Sequence, residues 1–566
     1  MRLRVLIGCA VIAACQMETP EEEAPPAPEP AAPGQTKGGT GDATLPPKPS
    51  KAEAARFLAQ ASFGPAPGDI EAVEAAGFAA WIEAQTAIPP VYALPRLESM
   101  SDPRREVMTD LFWESAIEGE DQLRARVAYA LANIVTVSLD GGRFGNSPET
   151  FAHYHDILTR HAFGNYQDLV REVTMSPAMG EYLSHLGNRR ADEETGIAPD
   201  ENYAREIMQL FTIGLEELNP DGTSKGSESY TTEDVQGLAA VFTGLSWADT
   251  DFEYPRVRSY NRAVPMESFR SFHETEAKSF LGTTVDVGGD AIASIDVALD
   301  HLLAHENLAP FVTKQLIQHF VTSNPSPAYV ARVGAAFEAG TFTADGKTFG
   351  EGRRGDMKAT VAAILLDAEA RDLEGRGAGH GRLRDPVLRF SHLARAFRDT
   401  RGARRVGAPE ETGAMRYAGR PDILGQAPLA PPSVFGWYRP GYVSPGGWAA
   451  QNGKVAPEMQ IVTGSTMSGY VDWMARTIRS DVWGGTDFFD LDFAAIEDLT
   501  EDPAALVDAL DIRLTSGAMT DATRTRIVDA VNLIEVDERD TDKDRRNRLR
   551  LAVLMTVTAP EYAVQR

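Results

Sequence analysis

Glu206, Asp234 and His273 are of the types that carry acid–base chemistry or hold a divalent metal. Glu206 lies in DENYAREIMQLFTIGL (200–215). There Asn202, Arg205, Glu206 and Gln209 fall at helical spacing and form a polar stripe. In a cleft, Asn202 and Arg205 would hold an anionic group beside the acid, whereas a buried Arg–Glu pair would be a structural clamp. Asp234 lies in YTTEDVQGLAAVFTGLSW (230–247). Thr231-x-x-Asp234 is also the spacing of a helix capping box, which is sufficient structural reason for the acid. His273 stands in FHETEAKSFLG (272–282), five residues before Lys278. A loop histidine near acids can be a metal ligand, a general base, or a hydrogen-bonded surface group. Glu206, Asp234 and His273 are therefore the candidate catalytic and metal-ligating set. Asn202, Arg205, Lys278 and Trp437 are the candidate substrate contacts. A metal-dependent hydrolase would need the set to converge within about 3–5 Å in a concave pocket.

Other motifs are weaker. His301 and His305 are four apart, a spacing that can grip a metal, but His305 stands where its helix ends and the dipole favours it there. His319 reads as core or boundary. His153 and His155 are two apart and cannot share a helix face. Trp437, Tyr438 and Trp448, in LGQAPLAPPSVFGWYRPGYVSPGGW (424–448), can stack on a sugar ring or plug a cleft between helices. Asp540-x-Asp542-x-Asp544 begins like a calcium loop, but Arg545 stands where Gly is needed and Leu551 where the bidentate Glu belongs. GRGAGHG (375–381) follows no strand, and G-x-S-x-G, Walker and H-E-x-x-H motifs are absent.

The elements that must position these residues are mostly helices. Tyr203, Ile207, Leu210 and Phe211 form one apolar face. Val235, Leu238, Ala239 and Phe242 form another, stopped by Gly244. Ser147-Pro148-Glu149 is a helix start, and 121–137, 290–304 and 310–321 are further apolar-periodic stretches. Few segments alternate with period two. The expected fold class is mainly α: a large multi-helical body over 51–566 with short peripheral strands or hairpins. A faint echo between 310–371 and 505–566 is consistent with a duplicated helical hairpin, and 170–183 resembles the second half of that unit.

The N-terminus reads as an address. MRLRVLIGCAVIAAC has a basic start, an apolar middle and Ile12-Ala13-Ala14-Cys15, which is similar to a bacterial lipobox. That similarity implies a signal peptide over 1–14 and a lipid on Cys15. Gln16 follows, where Asp would favour the inner membrane, so the outer membrane is the expected address. Residues 15–50 are rich in Pro, Glu and Gly and read as a disordered linker between lipid and body. Only Cys9 and Cys15 are cysteines, which excludes disulfides and thiolate metal sites from the body. The formal net charge of -27 over 566 residues argues against nucleic acid as a partner.

Seven stretches taken together resemble the bacterial domain-of-unknown-function family numbered 1800. They are AARFLAQASFGPAPGDIEAV, DENYAREIMQLFTIGL, YTTEDVQGLAAVFTGLSW, HETEAKSFLG, HENLAPFVTKQLIQHFVTSNPSP, LGQAPLAPPSVFGW and LMTVTAPEY, spread from Ala54 to Tyr562. The resemblance implies a large, exported, mainly helical protein. It also implies a partner from a second exported family, numbered 1501, whose genes often lie beside those of the first. The family's Asn-Tyr-x-Arg-Glu falls on Asn202, Tyr203, Arg205 and Glu206, and its His on His273. The loop after Gly436-Trp437 is longer than the family pattern. The expected function is a lipid-anchored cell-envelope protein that binds or scaffolds an exported partner. The alternative is a metal-dependent hydrolase of envelope or extracellular polymer.

Overall fold

The computed structural model describes residues 48–566 except 101–102, 142–146, 373–376, 378, 399–420, 480–490 and 539. The signal peptide, Cys15 and nearly all of the linker lie outside the described residues, as does part of the 375–381 glycine run. The body is mainly α, and its described strands form five two-stranded antiparallel ribbons. No described helix is long and apolar enough to cross a membrane.

The helices that matter for function are, in chain order, α1 (Glu106–Ile117), α2 (Gln122–Ile134), α3 (Pro148–His161), α4 (Tyr166–Met175), α5 (Asn202–Glu206), α6 (Thr232–Val241), α7 (Ala291–Ala304), α8 (Leu308–Phe320), α9 (Met357–Leu366), α10 (Pro386–Ala396) and α11 (Thr541–Val557). The ribbon between α6 and α7 consists of β1 (Lys278–Phe280) and β2 (Thr283–Val285). One continuous apolar core runs from Ala54 to Tyr562. α2 is buried on almost every side, Arg124 and Arg126 included, as expected of a helix at the centre of a large body. α3 starts at Pro148 and ends in Arg160 and His161, and the charge of Arg160 suits a helix C-terminus. α4 and α9 start beside each other. Asn165 caps one and Asp356 the other, and Tyr166 N donates to Gly355 O at 2.8 Å while Met357 N donates to Gly164 O at 2.9 Å.

A buried polar network ties the Gly/Pro/aromatic loop to this core. Arg382 pairs with Glu458 at 2.7 Å, both being almost fully buried. Arg126 and Arg382 both donate to the His319 carbonyl. The Tyr129 and Tyr438 hydroxyls donate to Asp385 Oδ2 at 3.1 and 3.0 Å, while Asp385 Oδ1 caps α10. Trp437 closes a small cavity against Phe151, Tyr154 and Leu158 of α3. Trp437 and Tyr438 thus plug the helices, whereas Trp448 at the far end of the loop is half exposed and does not.

The two echoing segments each contain three helices: α8, Pro327–Ala339 and α9 in the first, Pro503–Leu510, Asp521–Asn532 and α11 in the second. In each, the last helix breaks at an extended residue (Asp367, Ala559) and resumes as a four-residue helix. α4 breaks the same way at Ser176, before Pro177. A residue preceding proline is pushed out of the helical region, so Ser176 and Ala559 share one cause.

Candidate functional site

The motif residues were expected to gather, and the structure gives most of them separate tasks. α5 continues into a π-helical turn, Ile207–Thr212, that holds Gln209 and packs Phe211 inward. Arg205 pairs with Glu201 at 2.9 Å on a half-exposed surface, not with Glu206. Asn202 is exposed, with Nδ2 donating to Ser184 Oγ at 3.3 Å. Glu206 is buried, and its Oε2 has no hydrogen-bond partner. Burial raises its pKa, against the pull of Arg205.

Asp234 completes the capping box predicted from its spacing. Its Oδ2 accepts from Thr231 N and Oγ1, both at 2.8 Å, and its Oδ1 accepts from Leu281 N at 2.6 Å. Burial alone would raise its pKa, but these bonds hold it below the usual carboxylate value. Leu281 sits in the β1–β2 turn at φ +44°, so Asp234 pins a strained turn to the start of α6. α6 meets the ribbon at Gly237, where a Cβ would lie 1.8 Å from the Ser279 carbonyl oxygen.

His273 is fully buried. Nδ1 lies 2.9 Å from the Thr243 carbonyl and so must carry the proton. Nε2 then accepts from Ser294 Oγ at 2.9 Å. Burial lowers its pKa, so the ring is neutral and both nitrogens are engaged. Lys278 is equally buried, its Nζ donating to the carbonyls of Glu274 (2.7 Å) and Glu276 (3.1 Å). Asp234, His273 and Lys278 therefore stitch α6, α7 and the ribbon together. Among the described residues no three His, Cys, Asp or Glu side chains are grouped to hold a metal ion, so Glu206, Asp234 and His273 do not form a metal-holding set. His301 and His305 also diverge: Nε2 of the first donates to Leu281 O at 2.9 Å, and Nδ1 of the second accepts from Asn307 N at 3.1 Å.

Two further buried polar atoms without partners, Asp121 Oδ1 and His155 Nδ1, belong to residues that line one cleft. A cleft of about 190 Å³ opens between α1, α2, α3 and the segment 91–96. Phe63, Phe112 and Tyr129 line it, with ring centroids 5.7 to 5.8 Å apart. Glu114, Glu118, Glu120 and Asp121 also line it, against Arg96 and Arg124. Arg96 binds Glu114 at 2.8 Å. Arg124 Nε donates to Asp121 Oδ2 at 2.6 Å, its Nη2 donates to Ile88 O at 2.8 Å, and its guanidinium lies 4.5 Å from the Phe163 ring centroid. Asp121 Oδ1 is buried without a partner, and burial raises the Asp121 pKa to about 6 despite Arg124. Burial also raises that of Glu118. His155 lines both this cleft and the one closed by Trp437. Burial lowers its pKa to about 4, and its Nδ1 has no partner. The cleft thus pairs an aromatic wall with two carboxyls, Asp121 and Glu118, whose charged forms burial disfavours.

A family profile described as "Protein of unknown function (DUF1800)" matches residues 56–564. The chain belongs to this family. No curated protein and no solved structure matches it. The DUF1800 match covers both the motif region and the cleft.

Motif reasoning passes over the cleft in this DUF1800 chain because the residues around it come from helices that look merely apolar. Two signals stand in the sequence all the same. One is the acidic run Glu114, Glu118, Glu120, Asp121 just before α2. The other is Arg124 and Arg126 inside an otherwise apolar helix. Charged residues in such a helix need partners, and partners imply a polar site nearby.

Proposed function

We propose that this chain is a lipid-tethered cell-envelope protein, anchored through Cys15, whose helical body binds an exported partner of the family numbered 1501. The observation that carries the reading is the engagement of Asp234, His273 and Lys278 by neighbouring backbone and hydroxyl groups. Side chains so bound hold a shape and have no free atom to offer a substrate. The lipobox-like Cys15 and the Pro/Glu/Gly linker support a tether. The acidic body, in a chain of net charge -27, favours a protein partner over nucleic acid. A metal-dependent hydrolase built on Glu206, Asp234 and His273 has less support, because it would have to give up the hydrogen bonds of the last two.

Co-expression with the neighbouring exported protein tests both halves. The full chain should take up a palmitate analogue, fractionate with membranes and co-elute with its partner. Cys15→Ser should lose the label and the membrane association yet still co-elute. A labelled Cys15→Ser variant removes the anchor. Two chains that elute separately remove the partner.

A further inference from the structure

A second concavity, a groove of about 700 Å³, opens between the stretch 324–327, the four-residue helix Ala368–Arg371 and the four-residue helix Trp448–Gln451 with the turn after it. Its size falls within the roughly 300–1,000 Å³ of clefts that hold small molecules. It shares no lining residue with the cleft beside α2, and what it carries does not rest on the partner-binding reading.

Trp448 forms its wall. The side chain is 50% exposed and lines the groove. Among the described residues no aromatic ring and no guanidinium stacks on it. The tip of the indole rests against Gly379, where a Cβ would lie 3.2 Å from Cη2. Lys454 meets the same point, its Cε 3.7 Å from that position. The Lys454 ammonium has no hydrogen-bond or ion-pair partner among the described residues. Asn452 is exposed, and its Nδ2 donates to Trp448 O at 2.8 Å, which leaves Oδ1 to accept from a guest. Asn324 clamps this turn: its Nδ2 donates to Val455 O and its Oδ1 accepts from Val455 N, both at 2.9 Å. Lys454 N also donates to Ala449 O at 2.8 Å. One flat ring, one acceptor and one donor thus stand on a single turn that is fixed before any guest arrives, which lowers the ordering cost of binding.

That combination narrows the guest. A wholly apolar molecule would take water from Asn452 and Lys454 and return no hydrogen bond. Glu369 and Lys454 both line the groove, so neither a cation nor an anion meets a lining of one sign. A pyranose ring is neutral, carries C–H groups on its face and hydroxyls at its edge, and so satisfies indole, amide and ammonium together.

We propose that this groove binds a neutral saccharide chain, with one pyranose ring lying on Trp448 and its edge hydroxyls bonded to Asn452 Oδ1 and Lys454 Nζ. The groove is open to solvent and roomy enough for a chain.

The test is isothermal titration of the full chain, held in a polyoxyethylene detergent that carries no sugar. The probes are chitotetraose, cellotetraose and maltotetraose, with the galacturonate tetramer as an anionic counterpart. At least one neutral tetramer should bind, and the galacturonate tetramer should bind no more tightly than it. Trp448→Ala should weaken the neutral tetramer by about tenfold or more, and Trp448→Phe, which keeps a flat ring, should restore part of the loss. Lys454→Ala removes one hydrogen bond and should weaken binding by about threefold to tenfold. Circular dichroism checks that the variants are folded. Failure of all three neutral tetramers to bind, binding that Trp448→Ala leaves unchanged, or tighter binding of the galacturonate tetramer would each overturn the proposal.

Discussion

The motif region around α6 and the cleft beside α2 use the same side-chain types in opposite ways. At α6, Asp234 spends both oxygens and His273 both nitrogens on neighbouring atoms. At α2, Asp121 keeps one buried oxygen unbonded, and His155 keeps an unbonded buried nitrogen. A buried polar atom without a partner is destabilising, so such atoms persist where something other than stability retains them. The lesson is that Asp234 and His273 hold the body together although they lie in motifs that carry the family resemblance, whereas Glu206, in another of those motifs, keeps a buried oxygen unbonded as Asp121 does.

The comparison breaks or holds first at His273. His273→Ala removes a buried ring and leaves Thr243 O and Ser294 Oγ without their partner. Cavity and orphaned acceptor together should cost about 3–5 kcal/mol. Asp234→Ala loses the capping box and the Leu281 bond, about 2 kcal/mol. Chemical denaturation of the two variants beside the parent measures both. A His273→Ala variant within 1 kcal/mol of the parent would mean the ring is not a structural tie, and the functional reading of His273 would return.

Asp121 should behave in the opposite sense. Its folded pKa is raised from 3.8 to about 6. An acid of raised pKa contributes stability that is full below the unfolded value and is lost as pH rises through the folded one. The parent should therefore lose stability between about pH 4 and 6 on this account, and Asp121→Asn should remove that part of the slope. The group is partly exposed, so solvent screening limits the effect to about 1 kcal/mol. Asparagine also gives up the ion pair with Arg124, whose attraction is already contained in the shift to about 6 and so adds no separate pH dependence. Urea titrations at several pH values read the slope. An unchanged slope would place the ionisation elsewhere.

The division between the two regions explains what was legible in the sequence. The helical fold is written in local periodicity, and Tyr203, Ile207 and Phe211 are indeed buried on one face. The capping box of Asp234 is also local, being set by a spacing of three. The plug reading of the 424–448 loop was available because Trp437 and Tyr438 sit among Gly and Pro. That Glu206, Asp234 and His273 form no metal-holding group was not legible, because shared membership in family motifs does not fix distance. Nor was the cleft. Phe63, Phe112 and Tyr129 meet only through tertiary packing, as do Arg382 and Glu458, which are 76 residues apart. No period or spacing encodes such pairs.

The smallest expected effect falls on the residue that motif reasoning ranked high and the surface has claimed. Arg205 was a candidate anion-binding group, and it lies 41% exposed in an i,i+4 pair with Glu201. Pairs of this kind contribute about 0.3–0.5 kcal/mol, which salt screens further. Arg205→Ala should lower stability by no more than that, and the loss should vanish in high salt. Burial of Glu206 raises its pKa while the charge of Arg205 lowers it. Removing the guanidinium should therefore push the Glu206 pKa still higher. That is a shift carboxyl titration by NMR would detect even where the stability change is too small to measure. A large stability loss, or a Glu206 that does not respond, would mean that the stripe is coupled more tightly than its contacts indicate. Arg205 and Glu206 would then belong with the saturated region, not at its edge.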